Sequence, residues 1–303
     1  MLKTGVEVHG GMEERGNGGK GGNREASSEH EYKEGGRSLP ARKDPMRVVL
    51  TASRRTDLVR WYPGAIVQAL TARYPPRKVH SIVLVTKFPA AILDAPLRDA
   101  LRPYGQCTAQ VTITGWGGTV LEPKVPAPAE ALRAIPDLLD FLGDPRRLRV
   151  RLDPLLRLAD GRDNLAEARS IMTSAASLGV KSFITSIVTP YAKIAPRLAR
   201  LGLALAPWNE AEQAAAIGGL ADAAASLGVS LAGCCLPGLP NAACIDGRSL
   251  QESHPEQLPC RLDHPSGQRK LCGCSHAIDL GWYSSHPCPS GCLYCYANPV
   301  ADG

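Results

Sequence analysis

From Met46 onward the chain alternates short β-branched runs with longer Ala- and Leu-rich stretches, and that rhythm restricts it to folds assembled from repeated βα units. Six runs read as strands, at 48–53, 81–86, 108–114, 148–153, 181–187 and 229–234. Helical stretches fall between and after them, at 63–73, 89–101, 128–142, 165–178, 192–201 and 210–227. Gly179 and Gly228 each stand after a helix and before a strand, where a left-handed residue ends the helix. Pro89 and Pro128 suit first helical turns, where no N–H is needed.

Strand alternation gives two unlike faces. In 148–153, Leu148, Val150 and Leu152 share one side while Arg149, Arg151 and Asp153 share the other. Val111 and Ile113 oppose Gln110, Thr112 and Thr114; Val48, Leu50 and Ala52 oppose Val49, Thr51 and Ser53. A doubly wound sheet is apolar on both faces, and a closed eight-stranded barrel fills its lumen with bulky branched side chains. A polar inner face fits a six-stranded partial (β/α) barrel around water or a polar ligand, with an open sheet having one wet edge as the alternative. The α/β barrel-like domain is expected over residues 46–240, followed by a cysteine-rich segment over 241–303.

Residues 1–45 are Gly- and Ser-rich and hold eight Lys/Arg against eight Asp/Glu. They cannot bury enough surface to offset the entropy of ordering, so a disordered tail is expected there. The net charge of +6 therefore belongs to the rest of the chain. It suggests an anionic substrate, without the dense basic stripe of a nucleic-acid binder. No apolar run approaches the ~18–20 residues of a membrane span, and no secretory leader is visible. A cytoplasmic protein without a membrane partner is expected.

Of ten cysteines, Cys260, Cys272, Cys274, Cys288, Cys292 and Cys295 fall near the C-terminus. Disulfide frameworks belong to small secreted chains, whereas such a cluster in a larger cytoplasmic chain more often binds metal. Cys288, Cys292 and Cys295 stand at C-x3-C-x2-C spacing. Three thiolates so spaced can each take a different iron of a [4Fe–4S] cluster, leaving the fourth iron open to a ligand. Zinc is the rival metal, because Cys272 and Cys274 with Cys292 and Cys295 would complete an all-cysteine tetrahedron. Cys272 and Cys274 are also candidates for a second centre, with Cys244 or Cys260.

The stretch Cys292-Leu-Tyr-Cys295 resembles the cluster signature of radical SAM enzymes, which place an aromatic before the last cysteine. That resemblance implies a partial (β/α) barrel, S-adenosylmethionine on the open iron, reductive cleavage to a radical that abstracts hydrogen from a substrate, and an electron donor. Those enzymes carry the motif after the first strand; here it follows the sixth. The segments 52–57 (Ala-Ser-Arg-Arg-Thr-Asp), 86–89, 121–126, 151–154, 244–246, 272–274 and 279–283 resemble an uncharacterised family, number 1848 among the domains of unknown function.

Arg54 and Arg55 follow the first strand, where βα loops build barrel active sites, and can clamp a carboxylate or phosphate. The alternative is a plain helix start capped by Thr56 or Asp57. Lys87 follows the second strand and Asp153 ends the fourth, at the same mouth. Arg151 points inward and needs a partner, which is either Asp153 or an anionic ligand. Arg54, Arg55, Lys87, Arg151 and Asp153 are thus the expected cofactor- or substrate-binding set.

Overall fold

The β-branched runs form β1 (Val48–Ala52), β2 (Val79–Thr86), β3 (Cys107–Thr112), β4 (Leu148–Leu155), β5 (Ser182–Ile187) and β6 (Ser230–Gly233). A seventh strand, β7 (Ile278–Asp279), joins them in one sheet of order β6-β5-β4-β3-β2-β1-β7. Every neighbouring pair is parallel. The computed structural model describes residues 46–52, 54–297 and 299; the tail expected over 1–45 lies outside them. The count of six strands is corrected to seven, and the sheet is open, with β6 and β7 at its two edges. The strand that was missed is two residues long, too short to show alternation. It exists because β1 offers an edge to Leu50–Ile278 and Thr51–Asp279 pairing, continued by the Leu280 N–H to Thr51 O at 2.9 Å.

One face of the sheet carries the main core. Leu50, Ile82, Leu84, Val111, Val150 and Leu152 are all at most 1% exposed. They pack on Ile66 and Leu70 of helix Pro63–Ala72, Ile135 and Leu138 of Ile135–Leu142, Ile171 and Met172 of Leu165–Ser177, and Leu220 of Glu210–Ser226. Each such side chain contributes about 1.5–3 kcal/mol through burial. Two expected helices are each broken in two. Pro96 and Pro136 lack the N–H that a continuous helix would use, so shorter pieces form at Leu97–Leu101 and Ile135–Leu142. Gly179 and Gly228 adopt φ of 103° and 64°, as helix-ending glycines do.

The other face is polar, as the alternation requires, and the chain beyond residue 240 covers it. Arg149 donates to Ala243 O and Ser249 Oγ, both at 2.9 Å. Gln110 donates to Cys244 O, and Gln106 to Leu250 O at 2.8 Å. Val49 and Val83 meet Ile245 and Leu250 beside them. The cysteine-rich segment is therefore a second layer on the sheet, and it supplies β7 as well. No described helix is long and apolar enough to cross a membrane.

At the C-terminal ends of the strands, Asp57 ties two loops together. It caps helix Leu58–Trp61 through the Arg60 N–H, and it accepts from Thr86 Oγ1 at 2.8 Å and the Lys87 N–H at 2.8 Å. Asp57→Ala strips the acceptor from three donors around a buried position. It should lower unfolding stability by about 2–4 kcal/mol, read as a shift in urea midpoint at unchanged slope.

Candidate functional site

A cavity of about 480 Å³ opens at the C-terminal ends of the strands. Arg54, Arg55, Lys87, Arg151 and Asp153 all line it, and so do Cys272, Cys274, Cys288, Cys292 and Cys295. The structure thus brings these ten residues to one place, while Cys260 lies outside the cavity.

The loop bearing the C-x3-C-x2-C motif is strapped across that opening. Trp61 Nε1 donates to Ser290 Oγ at 2.9 Å and Tyr62 OH to Pro287 O at 2.6 Å. Leu293 N–H reaches Leu121 O at 3.0 Å, and Tyr296 OH donates to Arg54 O at 2.8 Å. Arg197, on helix Ile194–Ala199, donates to the carbonyls of Cys292 and Cys295. Cys292 is buried, Cys288 and Cys295 are partly so, and the Cys288 thiol donates to Ser290 Oγ at 3.4 Å. Burial pushes the Cys292 and Cys295 thiols up; Lys87 pulls both back, joined at Cys295 by Arg197. Among the described residues, no three His, Cys, Asp or Glu side chains stand in the geometry of a formed metal site.

Beneath the loop lies a polar cluster that the sequence did not disclose. Lys87 Nζ sits 2.7 Å from Glu122 Oε1, with the two side chains 18% and 1% exposed. Tyr294, the aromatic within the motif, donates to the same carboxylate, and its oxygen lies 3.2 Å from Lys87 Nζ. Burial alone would press the Lys87 ammonium down, but Glu122 and then Cys292 outweigh it and hold Lys87 above its usual range. Glu122 Oε2 is buried without a hydrogen-bond partner. The one available signal was a glutamate inside the Leu121-Glu-Pro turn, followed far along the chain by the motif tyrosine.

The arginines divide into two kinds. Arg151 is held by the protein itself: Nη2 lies 2.5 Å from Asp153 Oδ2, and Nη1 lies 2.9 Å from Gln110 Oε1 and 2.8 Å from Cys244 Sγ. The Arg151–Asp153 pair is 11% and 10% exposed, so its members answer each other's burial. Arg55 stacks over the Trp282 ring at 3.6 Å and stands 4.0 Å from Asp279. Arg54 differs, because its Nε is buried and has no hydrogen-bond partner while the residue lines the cavity. Such a donor is costly unless a ligand accepts from it.

A second set of sulfurs shares the cavity. The Cys234 and Cys274 thiols both donate to the Cys244 sulfur; together with Arg151 they outweigh burial and hold Cys244 well below the ordinary thiol range. Arg269 Nη2 reaches Cys234 Sγ at 3.5 Å. Cys260, the other partner weighed for Cys272 and Cys274, is buried in the layer covering the sheet, with its thiol pushed up to about 11. Cys234 and Cys244 belong to no spaced motif, which is why sequence reading gave neither a firm role.

Glu122→Gln removes the charge facing Lys87 and should cost about 3 kcal/mol, because an ammonium is then left buried without its counter-ion. Since Lys87 is held above its usual value, the pair's contribution is complete below about pH 10 and is lost as pH rises through the raised value. Denaturant titrations of wild type and variant should therefore differ most at neutral pH and converge at high pH.

No curated protein matches this chain. Among solved structures it is similar to a D-allulose 3-epimerase from Methylomonas sp. with additional C-terminal residues, at 17% identity and TM-score 0.38, covering 71% of each chain. The same enzyme in complex with D-allulose aligns at 15% identity and TM-score 0.35, over 62% of this chain and 63% of that one. Residues 49–297, which hold all of the sheet but Val48, the cavity and both sets of thiols, match a family model described as Domain of unknown function (DUF1848), and the chain belongs to that family.

Proposed function

We propose that Cys288, Cys292 and Cys295 hold a [4Fe–4S] cluster at the cavity and that the chain is a radical SAM-like enzyme, the sheet serving as a partial (β/α) barrel. The observation that carries the reading is the convergence of all three thiols on one 480 Å³ cavity that also holds an arginine with an unpartnered buried nitrogen. When bound, a cluster on three thiolates offers one open iron to S-adenosylmethionine and supplies the electron that cleaves it. The chain's own residues do the rest. Arg54 gives its free donor to the carboxylate of the ligand. Lys87, joined at Cys295 by Arg197, places positive charge beside the thiols and reduces, without cancelling, the rise that burial gives them. Tyr294 and Glu122 fix the loop between Cys292 and Cys295, so that the sulfurs keep their spacing. The Arg151–Asp153 pair lines the cavity as a rigid dipole.

The position of the motif late in the chain supports the reading once β7 is considered. β7 lies against β1, and the motif loop that follows it meets the loop after β1, where Tyr296 OH bonds Arg54 O. Radical SAM enzymes, which the motif resembles, carry their cysteines after the first strand.

Anaerobic purification should yield about four iron and four sulfide per chain. The EPR signal of the dithionite-reduced protein should change when S-adenosylmethionine is added. Cys295→Ala should lose the cluster absorbance, and full retention would overturn the ligand assignment. Arg54→Ala should keep the cluster and weaken the S-adenosylmethionine response about tenfold. Zinc at one equivalent with no EPR signal would replace this reading by a zinc-stapled anion-binding protein. A cluster signal indifferent to S-adenosylmethionine would make the protein an electron carrier or redox sensor instead.

A further inference from the structure

Segments 242–245 and 273–275 run side by side. Ser275 N–H donates to Ile245 O at 2.7 Å, and Cys244 N–H meets Cys274 Sγ at 3.2 Å. Gly273 lies so close that an added Cβ would stand 3.2 Å from Ala242 O. Cys244 and Cys274 are thus lateral neighbours on adjoining stretches, with the Cys274 sulfur in contact with the Cys244 backbone. Their side chains pack together beneath Val49 and Val83.

Arg151 Nη1, 2.8 Å from Cys244 Sγ, stabilises a thiolate on that sulfur. Both cysteines line the cavity, which gives a small solute a route to them. Oxidation would leave no stranded charge, because Arg151 keeps Asp153 at 2.5 Å and Gln110 at 2.9 Å.

We propose that Cys244 and Cys274 form a redox-active dithiol that a small hydroperoxide entering the cavity converts to a disulfide. The Cys244 thiolate attacks the terminal peroxide oxygen, the O–O bond breaks and the alkoxide leaves (hydroxide when the oxidant is hydrogen peroxide), giving a sulfenic acid on Cys244. The Cys274 sulfur then attacks the Cys244 sulfur and gives up its proton, the S–S bond forms, and water departs. Two electrons pass from the thiols to the peroxide. The pair needs no metal, and the proposal does not rest on the assignment of Cys288, Cys292 and Cys295.

The test is differential alkylation of the full-length protein before and after hydrogen peroxide, with fragmentation mass spectrometry to locate the bond. The expected result is a Cys244–Cys274 disulfide that dithiothreitol reverses, formed in wild type and in Cys234→Ser. In Cys274→Ser the disulfide should vanish and a dimedone adduct should appear on Cys244. Three results would overturn the proposal: both thiols remaining reduced while other cysteines oxidise, a bond from Cys244 to Cys234 instead, or one metal equivalent that is lost in Cys244→Ser.

Discussion

Everything on the polar side of the sheet follows from how Arg149, Arg151 and Gln110 are satisfied. Side chains of that kind on adjacent central strands cannot be left against an apolar layer, since each unpaired group costs several times what its hydrogen bond returns. The chain answers with its own backbone: the carbonyls of Ala243 and Cys244 accept from Arg149 and Gln110. These contacts fix where residues 242–245 must run. That path in turn puts Cys244 beside Arg151, and lets residues 273–280 follow alongside and pair with β1. The cavity is what remains of the polar face once this cover is in place.

The cavity wall is electrostatically sorted. Lys87 and Arg197 face the motif thiols, whereas Arg151 and Arg269 face Cys244 and Cys234. The cations with carboxylate partners, Lys87 on Glu122 and Arg151 on Asp153, hold fixed positions. Arg54 keeps a donor in reserve. A solute entering here meets fixed positive charge and sulfur, in surroundings whose low dielectric strengthens both.

Much of this was legible in the sequence. Six strands announced themselves through β-branched runs, and the unlike faces of 148–153 foretold a buried polar surface with Arg151 and Asp153 on it. The C-x3-C-x2-C spacing and the Arg54–Arg55 pair pointed to residues that the fold brings to one cavity, and both signals are local. What stayed hidden depends on contacts distant in sequence. β7 is two residues whose only qualification as a strand is the edge of β1. Glu122 has no periodicity to mark it and acquires its role from Lys87 and Tyr294. Cys234 and Cys244 come together only after β6 has joined the sheet and the chain has turned back over it. Thr56 and Asp57 were the two candidates for a helix cap, and Asp57 is the cap; its bonds to Thr86 and Lys87 could not be seen from its neighbours.

The pairing of β7 with β1 also sets a timetable. During synthesis β1 to β6 can assemble in order as each βα unit emerges, since successive units are neighbours in the sheet. The outer edge of β1 must wait for almost the whole chain, and Val49 and Val83 stay uncovered until Ile245 and Leu250 arrive. Contacts this distant in sequence are slow to form. When synthesis has reached residue 240, the residues of the hydrophobic side have been made and those that cover the polar side have not. The first arginine loop therefore precedes by about 200 residues the C-terminal sulfurs that come to face it.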